Sequence, residues 1–256
     1  MRIALTSDLH IFTTKPKHIE KMFQNLSADN PDVTVIAGDH NGGMYGYKGA
    51  RAIFEIARRY YKGPIIACLG NHEYWVQGTK IKNVDLYDSR SARYVHPRLD
   101  VWMRNYETIV ESAKEHQIHL LEEDGVFRWN SVFAIAGHGL WYANPPNSND
   151  ALYMPLGVEG DTHRHMYKKT TNDLLKQLDT LTSDDIFRIF VSHFPVVEIE
   201  ERDREWAGDP GIGTMLMEQY GFNKFLNGHT HHNRSGPLRY ECGSDYYNPK
   251  YKIIEV

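Results

Sequence analysis

Five short clusters in the chain carry the residue types that bind cations and move protons. They are Asp8-Leu9-His10, Gly38-Asp39, Gly70-Asn71-His72-Glu73, His193 and Gly228-His229-Thr230-His231. Carboxylate, imidazole and carboxamide supply oxygen and nitrogen donors, and no thiol accompanies them. Such a set suits manganese, iron or zinc and does not suit an iron–sulfur cluster. One catalytic metal takes about three protein ligands plus water. Asp8, His10, Asp39, Asn71, His193, His229 and His231 exceed that need, and two ions sharing a bridging carboxylate fit the count better. Two-metal sites with ions about 3.5–4 Å apart are characteristic of phosphoryl chemistry. Histidine, at 14 residues, is the one unusual count in the composition. It is the commonest metal ligand and the usual acid or base near neutral pH.

The elements that must position these residues are apolar runs, each ending in one cluster. Ile3 to Leu5 leads to Asp8 and His10, which lie two apart and so point the same way if extended. Pro16 opens a helix over 17–26, with Ile19, Met22, Phe23 and Leu26 on one face. The β-branched run 33–37 is a buried strand ending at Asp39. A second helix over 50–61 precedes a strand over 64–69, which leads into Asn71 and His72. Strand, helix, strand implies a parallel pair with a right-handed crossover. A helix over 101–116 follows, then segments 118–121, 126–129 and 132–136, whose short spacing predicts sequential antiparallel strands. Helix 165–181, strand 186–191 before His193, a short helix over 211–220 and strand 224–226 before His229 complete the series. Segments 237–242 and 252–256 are closing strands. In open α/β sheets ligands sit beyond the carboxyl ends of strands, so five polar strand ends predict one site.

Taken in order, these motifs strongly resemble the calcineurin-like metallophosphoesterase family, from residue 8 to residue 231. The resemblance implies an α/β (α+β) fold, a four-layer sandwich of two mixed β-sheets flanked by helices. It implies a first ion held by Asp8, His10 and His231, a second held by Asn71, His193 and His229, and Asp39 bridging them. His72 would stand outside the metal shell, next to the substrate phosphate, as the acid for the leaving group. Asn71 would also hold phosphoryl oxygens, and a metal-bridging hydroxide would be the nucleophile. The ions would be divalent or trivalent, from Mn, Fe or Zn, with Mn effective in vitro. The family often places an acid three residues after the bridging Asp; that position here is Gly42. The protein-phosphatase branch carries arginines where this chain has Gly43 and Leu69, and without such clamps a dianionic monoester is less well held. The Ser7-Asp8-Leu9-His10 opening is similar to the phosphodiesterase side. A phosphodiesterase acting on a small or nucleotide-like substrate is therefore expected, with a phosphomonoesterase as the alternative. A non-catalytic scaffold of the same fold would be expected to lose His72 or several ligands, and all are present.

Blander readings stand beside these. Alone, Asp39 reads equally as a helix N-cap, and His193 as a buried neutral histidine. His138 and Trp141, in Gly137-His138-Gly139-Leu140-Trp141, line the substrate cleft on one reading and form a Gly-flanked turn with a core tryptophan on the other. His40, His96, His116, His119, His163, His165 and His232 match no motif and read as surface or structural.

The chain of 256 residues shows no linker and reads as a single domain, 1–256. It carries a basic insertion over about 76–98 and a loop or lid over about 141–160. A net charge of −4 gives no indication of nucleic acid or an anionic membrane. No apolar stretch approaches the roughly 20 residues that span a bilayer. Asp8 and His10 interrupt the first apolar run before a signal peptide could form. Two cysteines, Cys68 and Cys242, make no disulfide framework and fit a reducing compartment. A soluble cytoplasmic protein with a phosphoester substrate is the expectation.

Overall fold

The computed structural model describes residues 1–41, 46–74, 96–142, 162–244 and 247–256. Gly42 and Gly43, the insertion as far as residue 95 and the lid segment from residue 143 lie outside the described residues.

The first half builds one sheet. Strands β1 (Arg2–Thr6), β2 (Val33–Ala37), β3 (Ile65–Cys68) and β4 (Ile118–Leu120) run parallel in that order. Helices α1 (Pro16–Ala28), α2 (Gly46–Tyr60) and α4 (His96–Glu115) make the crossovers, and the single turn α3 (Asn71–Tyr74) follows β3. The last strand, β11 (Lys252–Glu255), closes the other edge antiparallel to β1. Helix α1 starts at the proline that fixes its first φ. It buries Ile19, Met22, Phe23 and Leu26, the face read from its periodicity.

The second sheet has the order β5-β6-β7-β8-β10-β9. It contains β5 (Phe127–Arg128), β6 (Phe133–Gly137), β7 (Phe187–Ser192), β8 (Lys224–Asn227), β9 (Asn233–Ser235) and β10 (Arg239–Cys242). Strands β6, β7, β8 and β10 are parallel, and β5 and β9 pair antiparallel at the edges. Between β4 and β5 the turn α5 (Leu121–Asp124) carries the chain from one sheet to the other. The three antiparallel strands expected over 118–136 are thus divided. Only β5 and β6 form a hairpin, while β4 pairs parallel to β3. Short strand spacing cannot distinguish a hairpin from a change of sheet.

Alternation along the strands sets the layers. Ile3, Leu5, Val33, Val35, Ala37, Ile66 and Cys68 of the first sheet pack with Ile135, Ile189, Val191, Leu226 and Cys242 of the second. The intervening residues face outward. Ala4, Ile36, Ile65 and Ala67 belong with the apolar side chains of α1 and α2. Ala136, Phe190 and Phe225 belong with those of α6 (Thr162–Leu178) and α7 (Pro210–Glu218). Helix, sheet, sheet, helix is the four-layer arrangement expected. Among the described residues no helix is long and apolar enough to cross a membrane.

Candidate metal centre

Both sheets present their carboxyl ends to the same place. Backbone hydrogen bonds lay the turn after β1 along the turn after β2: Asp8 N–H donates to Gly38 O (3.1 Å), His10 N–H to Asp39 O (3.1 Å) and Ile11 N–H to His40 O (3.0 Å). Asp8, His10, Asp39, His229 and His231 all have positive φ. Non-glycine residues seldom adopt that conformation, and such strain gathers at functional sites. Glycine is required where the turns meet. A Cβ on Gly38 (φ +84°) would stand 2.6 Å from His193 Nδ1, and one on Gly70 would stand 2.1 Å from Asp39 Oδ1.

The side chains converge on Asp39. Its Oδ2 is 3.4 Å from His193 Nε2, 3.7 Å from His10 Nε2 and 3.7 Å from His72 Nε2. His193 Nε2 lies 3.0 Å from both Asn71 Oδ1 and His229 Nδ1. His231 Nε2 lies 3.6 Å from Asp8 Oδ1 and 3.5 Å from His10 Nε2. Among the described residues three groups have donor atoms within 4.8 Å of one another: Asp8, His10 and His231; His10, Asp39 and His72; Asp39, His193 and His229. All seven residues expected as ligands, and His72, are thereby brought together. Asp8, His10 and His193 are fully buried, and Asp39 and Asn71 nearly so.

These contacts fit cations better than they fit one another. His10 Nδ1 donates to Asn41 O (3.0 Å) and His193 Nδ1 to Ala37 O (2.9 Å). Those bonds leave each Nε2 lone pair facing inward, as metal-binding histidines require. Imidazole nitrogens then face imidazole nitrogens, and several nitrogen–carboxylate spacings exceed a good hydrogen bond. Donors each about 2.0–2.2 Å from one tetrahedral ion stand about 3.3–3.6 Å apart, close to the spacings here.

Burial and charge act together on the same groups. Burial pushes the Asp39 carboxyl up, but His193 and His72 outweigh it and hold it well below the usual carboxylate range. Burial pulls His193 down, and the Asp39 carboxylate overrides it to give about 10, so a cation at Nε2 would take the place of a proton there. His10 and His229 are lowered, by burial first.

Several supporting roles were not read from sequence. Glu73 accepts N–H groups from Gly70 (2.8 Å), Asp39 (3.0 Å) and Asn41 (3.1 Å), clasping the turns after β2 and β3. Its carboxylate also lies 3.3 Å from Nδ1 of His40, which is buried and structural. The Asn41 backbone carbonyl accepts from His10 Nδ1 and so orients that ring. Behind the last motif, Thr230 Oγ1 donates to Glu241, and Glu241 pairs with Arg239 at 2.5 Å. Arg239 Nε donates to Asn227 Oδ1 (2.9 Å). The available signal was the alternation of Arg239 and Glu241 along one strand face. His138 and Trp141 are both buried. His138 Nδ1 accepts the Leu140 N–H (3.1 Å), and burial lowers its pKa to about 3.

Residues 1–233 match the calcineurin-like phosphoesterase family, Metallophos. The chain belongs to that family. It is a hydrolase of phosphoester bonds, and the buried His and Asp clusters fit the dimetal centre the family implies. Solved structures share the fold. A phosphopantetheinyl hydrolase from Mycobacterium tuberculosis has a TM-score of 0.65 at 16% identity, over 96% of this chain and 89% of that one. TT1561 of Thermus thermophilus has a TM-score of 0.52 at 15% identity, over 89% of this phosphoesterase and 80% of that chain. No curated protein matches the sequence.

Proposed function

We propose that this phosphoesterase is a two-metal phosphodiesterase acting on a small or nucleotide-like substrate. The observation that carries the diester preference is Leu69. It stands where the protein-phosphatase branch has an arginine, it is buried, and its N–H is given to Glu122 Oε1 (2.8 Å). No cationic clamp for a dianion comes from that position. In this reading Asp8, His10 and His231 hold one ion, Asn71, His193 and His229 the other, and Asp39 bridges. The ions, when bound, supply a water acidic enough to give hydroxide at neutral pH and offset charge on the phosphoryl oxygens. Asn71 turns its Oδ1 to the centre, and in this reading its amide also binds a phosphoryl oxygen. His72 is anchored by its own N–H to Asp39 Oδ1 (3.0 Å), and its ring gives a proton to the departing alkoxide. For His138, burial and the Leu140 N–H favour a neutral ring bracing the Gly137–Leu140 turn over one that meets substrate. The shared inter-sheet core supports one domain over 1–256, and two buried unpaired cysteines favour a reducing, cytoplasmic setting.

The test supplies Mn²⁺ to purified protein and compares bis-p-nitrophenyl phosphate with p-nitrophenyl phosphate, using Asp39→Asn as control. The diester should be preferred by about 10-fold or more in kcat/KM, a difference of about 1.4 kcal/mol in the barrier. Faster monoester hydrolysis would make the enzyme a phosphomonoesterase. His72→Ala should cost an alkyl ester about 100-fold or more and a nitrophenyl ester far less, because nitrophenolate departs without a proton. Equal losses on both would remove His72 as the acid.

A further inference from the structure

Among the described residues the candidate centre is most open along the turn that carries His229 to His232. The side chain of His231 is 27% exposed and that of His232 is 40% exposed, against full burial of His10 and His193 on the opposite side. Trp206 stands at this opening. It is 41% exposed, its ring centroid lies 6.2 Å from that of His229 with the planes tilted by 50°, and Tyr142 lies 6.5 Å away.

Trp206 ends a short 3-10 helix, Glu201–Trp206, that is tied down on both sides. Asp203 is buried and pairs with Arg234 of β9 at 2.5 Å, and it stands 3.7 Å from His232 Nε2. Just beyond the helix, Gly208 N–H donates to Pro195 O (2.9 Å), in the turn that follows His193. The segment that carries the indole is therefore fixed to both histidine-bearing turns. Charges along the helix pair locally: Arg202 with Glu200 (3.0 Å), Arg204 with Glu201 (3.0 Å) and Arg234 with Glu200 (3.2 Å). With Glu205 the rim carries four carboxylates against these three arginines, so what it offers a ligand is a flat aromatic surface and no excess of positive charge. A flat π-surface of that kind receives any planar ring.

We propose that Trp206 is the platform of a subsite for a planar aromatic group, a nucleobase or similar ring, carried on the esterified side of the reacting phosphate. This deepens the phosphodiesterase reading and rests on it. The experiment compares two esters with the same leaving group, thymidine 5′-(p-nitrophenyl phosphate) and ethyl p-nitrophenyl phosphate. For Trp206→Ala the thymidine ester should lose about 10-fold in kcat/KM, mostly through KM, as expected for a lost stacking contact. The ethyl ester should stay within about 2-fold, since it has no ring to stack. Trp206→Phe should recover most of the loss. Equal loss on both esters, or none on either, would overturn the proposal. A second readout needs no turnover. Thymidine 5′-monophosphate should quench the tryptophan fluorescence of the wild type and not that of Trp206→Phe; identical quenching in both would also overturn it. If the wild type proves to prefer monoesters, thymidine 5′-monophosphate and ethyl phosphate replace the two diesters. The subsite then stands or falls on the same discrimination while the diester reading fails separately.

Discussion

Two buried polar regions meet at the turn Gly228–His231, and they are built in opposite ways. Behind the turn, Arg239 meets Glu241 at 2.5 Å, Asn227 Oδ1 at 2.9 Å and Glu198 O at 3.0 Å, and Glu241 also accepts from Thr230. Every contact there joins a donor to an acceptor or opposite charges. In front of the turn, nitrogen faces nitrogen between His10 and His231 and between His193 and His229, and three histidines surround one carboxylate. Burying polar groups is costly unless each finds a partner. The rear cluster finds its partners within the chain, whereas the front cluster fits the cations that the family implies.

Asp39→Asn should have the largest effect. It removes the charge on which three histidines converge, and kcat/KM should fall about 1000-fold, roughly 4 kcal/mol of barrier, with bound metal lost and circular dichroism retained. Wild-type turnover would break the contrast at its front half.

Arg239→Ala attacks the rear half. It leaves Glu241 buried and unpaired, which costs about 3–5 kcal/mol of stability, read from urea denaturation. The double variant Arg239→Met with Glu241→Leu should recover much of that loss, because an apolar pair of similar volume can replace a buried ion pair. No such apolar replacement should work at the front.

Chelation comes next. Stripping metal from the wild type should remove about 2.7 kcal/mol if the free ion had stood at about 100 times its Kd, lowering Tm by about 5–10 °C. The same treatment should barely move Asp39→Asn in differential scanning calorimetry.

Glu122 lies between the two extremes and should show the smallest effect. Its Oε1 accepts N–H groups from Leu69 and Gly139 at 2.8 Å each, while Oε2 is buried without a hydrogen-bond partner. Burial raises its pKa to about 7, against the two N–H donors that lower it. A carboxyl whose pKa is higher folded than unfolded binds more protons in the native state between about pH 4.5 and 7. Stability therefore falls as pH rises through that window. Glu122→Gln removes the titration, so its Tm minus that of the wild type should be larger at pH 8 than at pH 5. A constant difference would show that the charge is carried without cost.

Much of the front cluster was legible in sequence because each candidate ligand lies just beyond an apolar run, so one strand end announces one cluster. The layers were legible too, since alternation in β1 to β3 and helical periodicity in α1 are local properties. The rest depends on partners distant in sequence. Glu73 works through backbone N–H groups 32 to 34 residues away, and Arg239 through Asn227 and Glu198 on other segments. The change of sheet at Leu121–Asp124 is set by how two sheets pack, which strand spacing does not encode. Trp206 gains meaning only when Asp203 and Arg234 fix its helix beside His229.

The most direct measurement is calorimetric titration of Mn²⁺ into the metal-stripped wild type and Asp39→Asn. Two ions bridged by Asp39 predict saturation at about two equivalents per chain in the wild type, with at least one lost in the variant. No saturable binding, or identical binding by both proteins, would contradict a dinuclear centre built on Asp39.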